Sequence, residues 1–161
     1  KENWQYVYRS DKNTLKDEEL ILPDSYYLHR VDQSLFASLV AGLKITNPEF
    51  LTDYINQFWG SVSNYLELGA GYAVTNEDKI VSFAISSGLY EKTVSVGVET
   101  LLEHRRKGLA AIAVKTLLKE LYDMNCNVWW DCMESNIASQ KTIESAGLTI
   151  DHKYKVCRFD L

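Results

Sequence analysis

Cysteine is scarce in this chain: Cys126, Cys132 and Cys157 are odd in number and form no close CxxC pair. This spacing argues against a disulfide framework and against a zinc site, and it fits a reducing, cytoplasmic setting. Apolar runs approaching the roughly 18 residues of a bilayer span are missing, and Lys1 to Arg9 carries no signal-peptide pattern. A soluble protein with no membrane partner is expected. Positive charge is short as well. Seventeen basic residues stand against 22 acidic ones, for a net charge of -5, and apart from Arg105 to Lys107 the basic residues are scattered. A nucleic-acid surface needs a basic stripe to neutralise phosphates, so no nucleic-acid partner is expected, whereas an acidic protein suits a cationic amine. His29, His104 and His152 fall on separate elements without ligand spacing, so no metal is expected. The phosphate-binding patterns GxxxxGK[ST] and GxGxxG are absent. The sequence also lacks an initiating methionine, which leaves a missing N-terminal domain, or a homodimer, as the macromolecular partners to consider.

What is present is an ordinary globular composition. The 161 residues are 46% hydrophobic and 24% charged, enough for one core that buries roughly two-thirds of the unfolded surface. Trp4, Tyr6 and Tyr8 alternate with Gln5, Val7 and Arg9, the period of a half-buried strand. This strand and a polar connector to Asp24 form one segment, residues 1–24, and the remaining domain runs over 25–161. A second aromatic strand, Tyr26 to Val31, is followed by Asp32 as the cap of a helix with Leu35, Phe36, Leu39, Val40 and Leu43 on one side and Gly42 at its end. A second helix is expected from Asn47 as N-cap and Pro48 at the first position to Gly60, burying Phe50, Leu51, Tyr54, Ile55 and Phe58.

From Gly71 the period changes to two. Strands are expected at Tyr72 to Thr75, Ile80 to Ser86 and Thr93 to Thr100, with Asn76 to Lys79 and Ser87-Gly88 as turns, which makes them antiparallel neighbours. A helix from about Gly108 to Met124, a strand Asn127 to Met133, a helix from about Asn136 to Ala146, and one or two strands from Leu148 to Leu161 complete the order. The fold class is α+β: a mixed, mostly antiparallel sheet of six to seven strands with helices on both faces.

In the third of the meander strands Val94, Val96 and Val98 share one face; Thr93, Ser95, Gly97 and Glu99 share the other. A glycine there marks either a bulge or the close approach of a neighbouring group. After that strand comes Arg105-Arg106-Lys107-Gly108-Leu109-Ala110, leading into a helix with a core-facing stripe of Ala110, Ala113, Val114, Leu117, Leu118 and Leu121. The first turn of such a helix presents unpaired N–H groups at its positive end, Gly108 admits a close anion, and Arg105 to Lys107 add charge. A diphosphate is the natural guest.

These residues resemble the signature of the GNAT superfamily of N-acetyltransferases, Arg or Gln, two residues, Gly, one residue, Gly or Ala, filled here by Arg105, Gly108 and Ala110. The likeness extends to Asn136, Ser139, Gly147 and Leu148 around the later helix and covers about Tyr26 to Phe159. The wording around Trp130-Asp131-Cys132 is similar to a bacterial subgroup that includes the zwittermicin A resistance acetyltransferase, whose members carry an extra N-terminal domain. The resemblance implies acetyl-CoA as co-substrate. Its pantetheine arm would pair with the backbone of Val98 and Thr100, its pyrophosphate would accept from the N–H groups of Arg106 to Ala110, and Asn136 and Ser139 would line its far side. A bulge at Gly97 would help separate the strand from Asn127 to Met133. Asn136 is equally natural as a plain helix N-cap.

The implied reaction transfers an acetyl group to the primary amine of a small molecule, with the N–H of Val98 serving the oxyanion. Where some relatives carry a glutamate base this chain has Val94, and where many carry a tyrosine acid it has Ile143. Glu99 is the nearest carboxylate, though on the opposite face from Val98. Cys132, Ser139 and Tyr154 could stand in as acid; Glu99 and Tyr154 are the candidate catalytic pair. The competing expectation is a catalytically silent acyl-CoA-binding sensor or structural module.

Overall fold

The computed structural model of the protein describes residues 2–42 and 44–157. Leu43, the side chain of Val40, and the last part of the final expected strand, Arg158 to Leu161, lie outside the described residues. Seven strands form one sheet: β1 (Glu2–Ser10), β2 (Tyr26–Arg30), β3 (Gly71–Asn76), β4 (Lys79–Tyr90), β5 (Thr93–Thr100), β6 (Asn127–Met133) and β7 (Ile150–Cys157). Their spatial order is β2-β3-β4-β5-β6-β1-β7. Every pairing is antiparallel except β5 with β6. The segment 1–24 contributes β1 to the interior of this sheet, between β6 and β7.

Among the described residues, five α-helices accompany the sheet: α1 (Gln33–Ala41), α2 (Glu49–Trp59), α3 (Val62–Leu68), α4 (Leu109–Asp123) and α5 (Ile137–Ser145). The α4 stripe of Leu109, Ile112, Ala113, Val114, Leu117, Leu118 and Leu121 is buried. It packs with Val94, Val96, Val128 and Trp130 on one side of the sheet, in a cluster that Ile143 of α5 joins. On the other side Leu51 and Ile55 of α2 and Tyr65 of α3 pack against Ile80, Phe83 and Ile85. Each fully buried Leu, Ile or Phe in these layers stabilises the fold by about 1.5–3 kcal/mol relative to exposure. None of the helices is long and apolar enough to cross a membrane among the described residues.

Local chemistry sets the element ends. Asp32 accepts from the N–H of Leu35 at 3.1 Å and caps α1. Gly60 ends α2 in the left-handed region (φ +73°), its N–H donating to Asn56. Three expectations are corrected. Asn47 does not cap α2: its amide bonds both the carbonyl and the N–H of Ile80 at 2.8 Å, pinning the helix start to β4. A third helix, α3, follows α2 and is capped by Ser61. The β4–β5 turn is not Ser87-Gly88, because β4 continues to Tyr90 and the chain reverses at Glu91 and Lys92.

The bulge also lies elsewhere. Ser86 pairs with Val96 and Gly88 with Ser95, so the extra residue is Ser87 of β4, and Gly97 pairs regularly with Ile85. Gly97 answers to the other reading, a close approach: a Cβ there would fall 1.7 Å from the hydroxyl oxygen of Tyr54.

Candidate active site

The loop before α4 could hold an anion. Arg106 (φ +61°) and Gly108 (φ +74°) are both left-handed, a backbone alternation that turns successive N–H groups toward one side. No side chain caps α4, so the N–H groups of its first turn, which have no intrahelical acceptor, face outward at the helix's positive end. A Cβ on Gly108 would meet nothing within 4 Å, so the space beside it is open. The basic side chains divide the work. Arg105 folds back, its Nε donating to the carbonyl of Thr100 at 3.1 Å and bracing the loop against β5. Lys107 reaches the hydroxyl of Tyr26 at 3.2 Å, which is also paired with Nδ1 of His104 at 2.9 Å. Arg106 and Lys107 are exposed and leave positive charge at the mouth of the cradle.

Beside the cradle the sheet opens. β5 and β6 pair only at Thr93 with Asn127, Val94 with Val128 and Ser95 with Trp129. Beyond Ser95 they diverge, while β6 stays paired to β1 up to Met133 with Gln5. Val98 and Thr100 therefore lie on the diverging part of β5, where an extended chain can take the place of the missing neighbour by strand addition. The loop and the opening are continuous through Arg105 and Thr100.

On the face carrying Gly97, a cleft of about 450 Å³ is lined by Asn47, Glu49, Phe50, Asp53, Tyr54, Gln57, Glu99 and Leu101. Three of these are carboxylates. Glu99 lies at its rim, and partial burial pushes its carboxyl above the usual range against the opposing pull of Arg105. Burial, with the carboxylates of Glu99 and Asp131 adding to it, pushes the Tyr54 phenol up to about 12. Asp131 is held by Gln5 at 3.1 Å and by the indole of Trp129 at 3.0 Å.

The remaining sequence-level candidates fall as follows. Asn136 caps α5 by accepting from the N–H of Ser139 at 3.1 Å, and Ser139 accepts from the indole of Trp130 at 3.1 Å. Asn136 thus starts α5, and Ser139 ties that helix to β6. Tyr154, 41% exposed, stands on β7 opposite Gln5, with β6 and β1 between it and β5. Cys132 is buried, and burial raises its thiol. Ile143 is wholly buried. Tyr26, Tyr54 and Asp131 were not among the sequence-level site candidates. A period-two pattern marks Tyr26 and Asp131 only as strand residues, and Tyr54 reads as helix core.

The chain is similar to known proteins along nearly its whole length. The family model described as GNAT acetyltransferase matches residues 1–157. An uncharacterized N-acetyltransferase, YdfB, of Bacillus subtilis is 26% identical over 153 residues, covering 95% of this chain and 54% of its own length. Among solved structures, a GCN5-related N-acetyltransferase-like protein of Streptococcus suis superposes with a TM-score of 0.72 at 20% identity, covering 96% of this chain and 60% of that one. A GNAT-family acetyltransferase from Colwellia psychrerythraea gives 0.65 at 20% identity, with 95% and 54% covered. The chain thus spans between half and two-thirds of the length of these relatives. With the family model covering nearly every residue, the chain belongs to the GNAT acetyltransferase family.

Proposed function

We propose that the chain transfers an acetyl group from acetyl-CoA to the primary amine of a small cationic molecule. The observation that carries this reading is the junction of the uncapped α4 start with the divergence of β5 from β6, a cradle for a diphosphate running directly into a slot for an extended arm. Acetyl-CoA supplies the activated thioester. Arg106 to Ala110 offer backbone N–H groups and charge to the pyrophosphate, and Val98 and Thr100 lie along the arm's path. Glu49, Asp53 and Glu99 give the acceptor cleft a negative field that concentrates a cation. Once the amine is in place, Glu99 accepts its proton, a task suited to a carboxyl held above its ordinary range.

A silent acyl-CoA-binding module is the second reading, favoured by the buried apolar Val94 and Ile143 at the two positions where the resemblance would put a glutamate base and a tyrosine acid. Calorimetry with acetyl-CoA, followed by thiol release across a panel of amines, decides between them. Binding with amine-dependent release supports the transferase, binding without release supports the module, and no binding at near-millimolar cofactor overturns both.

A further inference from the structure

The hydroxyl of Tyr54 reaches the reacting strand through a gap in that strand's own side chains. A Cβ built on Gly97 would lie 1.7 Å from Tyr54 Oη and 2.8 Å from Cζ, so the phenol fills the volume that any other residue at 97 would claim. Two aromatic rings fix it there: the Phe83 centroid is 5.1 Å away and the Phe58 centroid 4.6 Å away. The phenol makes no hydrogen bond among the described residues, and no buried side-chain oxygen or nitrogen lacks a partner, so its O–H keeps an opening to the cleft it lines. That opening lies beyond the last β5–β6 pair, on the face shared by Gly97, Glu99 and, across the divergence, Asp131. A large, rigid side chain has therefore been brought by α2 to the boundary between the acceptor cleft and the slot, with its one polar atom unspent.

We propose that Tyr54 is the proton donor to the thiolate that leaves when the acyl group is transferred. The inference rests on the acyl-transfer reading given above. In the step, the amine, its ammonium proton already released to solvent, forms its bond to the acyl carbon through nitrogen and gives a proton to Glu99. The carbon–sulfur bond breaks, the sulfur takes the Tyr54 proton, and the proton on Glu99 returns to the phenolate. The products are the amide and a neutral thiol, with Tyr54 and Glu99 restored. A phenol held at about 12 keeps its proton throughout the neutral range and so is a donor, not a base, before the step. The charged groups around it are Glu49 and Asp53, which line the same cleft from its own helix, Glu99 on β5 and Asp131 on β6.

The test needs two readouts. The first is the ultraviolet thiolate absorbance of free coenzyme A bound to the protein, titrated with pH after subtracting the chain's own cysteines. A donor hydroxyl stabilises the thiolate, so Tyr54→Phe is expected to raise the midpoint of the bound thiol by about one pH unit, a tenfold change in acidity. The second is turnover. Tyr54→Phe is expected to lower kcat by about 10²–10⁴-fold with the acetyl-CoA KM unchanged. Gly97→Ala, whose methyl displaces the hydroxyl, is expected to match that loss and to add little to it in the Tyr54→Phe background. An unchanged kcat, or a fall in kcat with an unmoved thiol midpoint, overturns the assignment of Tyr54 while leaving acyl transfer standing. A wild-type chain that binds coenzyme A but releases no thiol with any amine overturns the acyl-transfer reading and the assignment with it.

Discussion

Trp130 donates its indole N–H to the hydroxyl of Ser139 at 3.1 Å, tying the middle of β6 to the first turn of α5. Trp130 is almost wholly buried, so the bond satisfies a group that has little access to water. Ser139→Ala leaves that N–H unpaired and is expected to cost about 1–3 kcal/mol, read as a lower urea midpoint with an unchanged slope.

The Gly108 position offers a sharper test of the cradle. Its open surroundings mean that a side chain there has room, while its left-handed backbone and the adjoining helix start make it the place where a phosphate would lie. Gly108→Glu is expected to leave the far-ultraviolet dichroism intact and to weaken coenzyme A binding by about 100-fold or more in calorimetry, at least ~2.7 kcal/mol.

Glu99 has a distinctive pH signature. Its folded-state value is raised, chiefly by burial, so the folded chain holds that proton more tightly than the unfolded one. The stabilisation this provides is fully present below the ordinary glutamate value of about 4.3 and is lost as pH rises through the raised value. Glu99→Gln is therefore expected to leave the neutral-pH Tm unchanged or slightly higher. In turnover the same variant is expected to lose about 10²–10⁴-fold and to abolish the acid-side fall of kcat/KM, which in the wild type lies above 4.3.

The opposite sign holds at the other end of α4. Glu120 accepts from Arg30 of β2 at 2.6 Å and from the Tyr72 hydroxyl of β3 at 2.7 Å, and the Arg30 hydrogen bond pulls its carboxyl below the ordinary range. Its contribution is present above about 4.3 and disappears as pH falls through the lowered value. Glu120→Gln is expected to cost about 1 kcal/mol in urea unfolding at neutral pH, with the difference from wild type closing in acid.

Much of this fold could be read in the sequence, because its strongest elements are set locally. The alternation of β5 and β6 and the apolar stripe of α4 fix those elements to within a residue, and Asp32 and Gly60 behave as their types dictate. The loop that opens α4 was legible for the same reason, being one continuous run. What escaped depends on partners far away in the chain. Asn47 carries an ordinary capping side chain, but Ile80 of β4 offers it two backbone groups at once. Ser87 and Gly88 have turn composition, yet the twist they relieve belongs to a bulge opposite Ser95. The residue that gives Gly97 its meaning, Tyr54, lies 43 positions earlier on a helix, where its spacing says only that it faces inward. A candidate binding loop is thus more readable than a candidate catalytic set, since one needs a single run of chain and the other a meeting of elements.

The place of β1 in the sheet has a consequence for assembly. Preceding both of its neighbours in the sequence, it cannot pair until they exist: Gln5 waits for Met133 on one side and for Tyr154 on the other. Closing so long a loop is entropically dear and slows the search for the native arrangement. Until it happens β6 and β7 have no bridge, and an aromatic-rich ribbon is left with both edges bare, the kind of surface that pairs with another nascent molecule. In the ribosome's order of events, the wall of the slot that faces β5 is finished by a strand made before β6 and β7 and paired only after them.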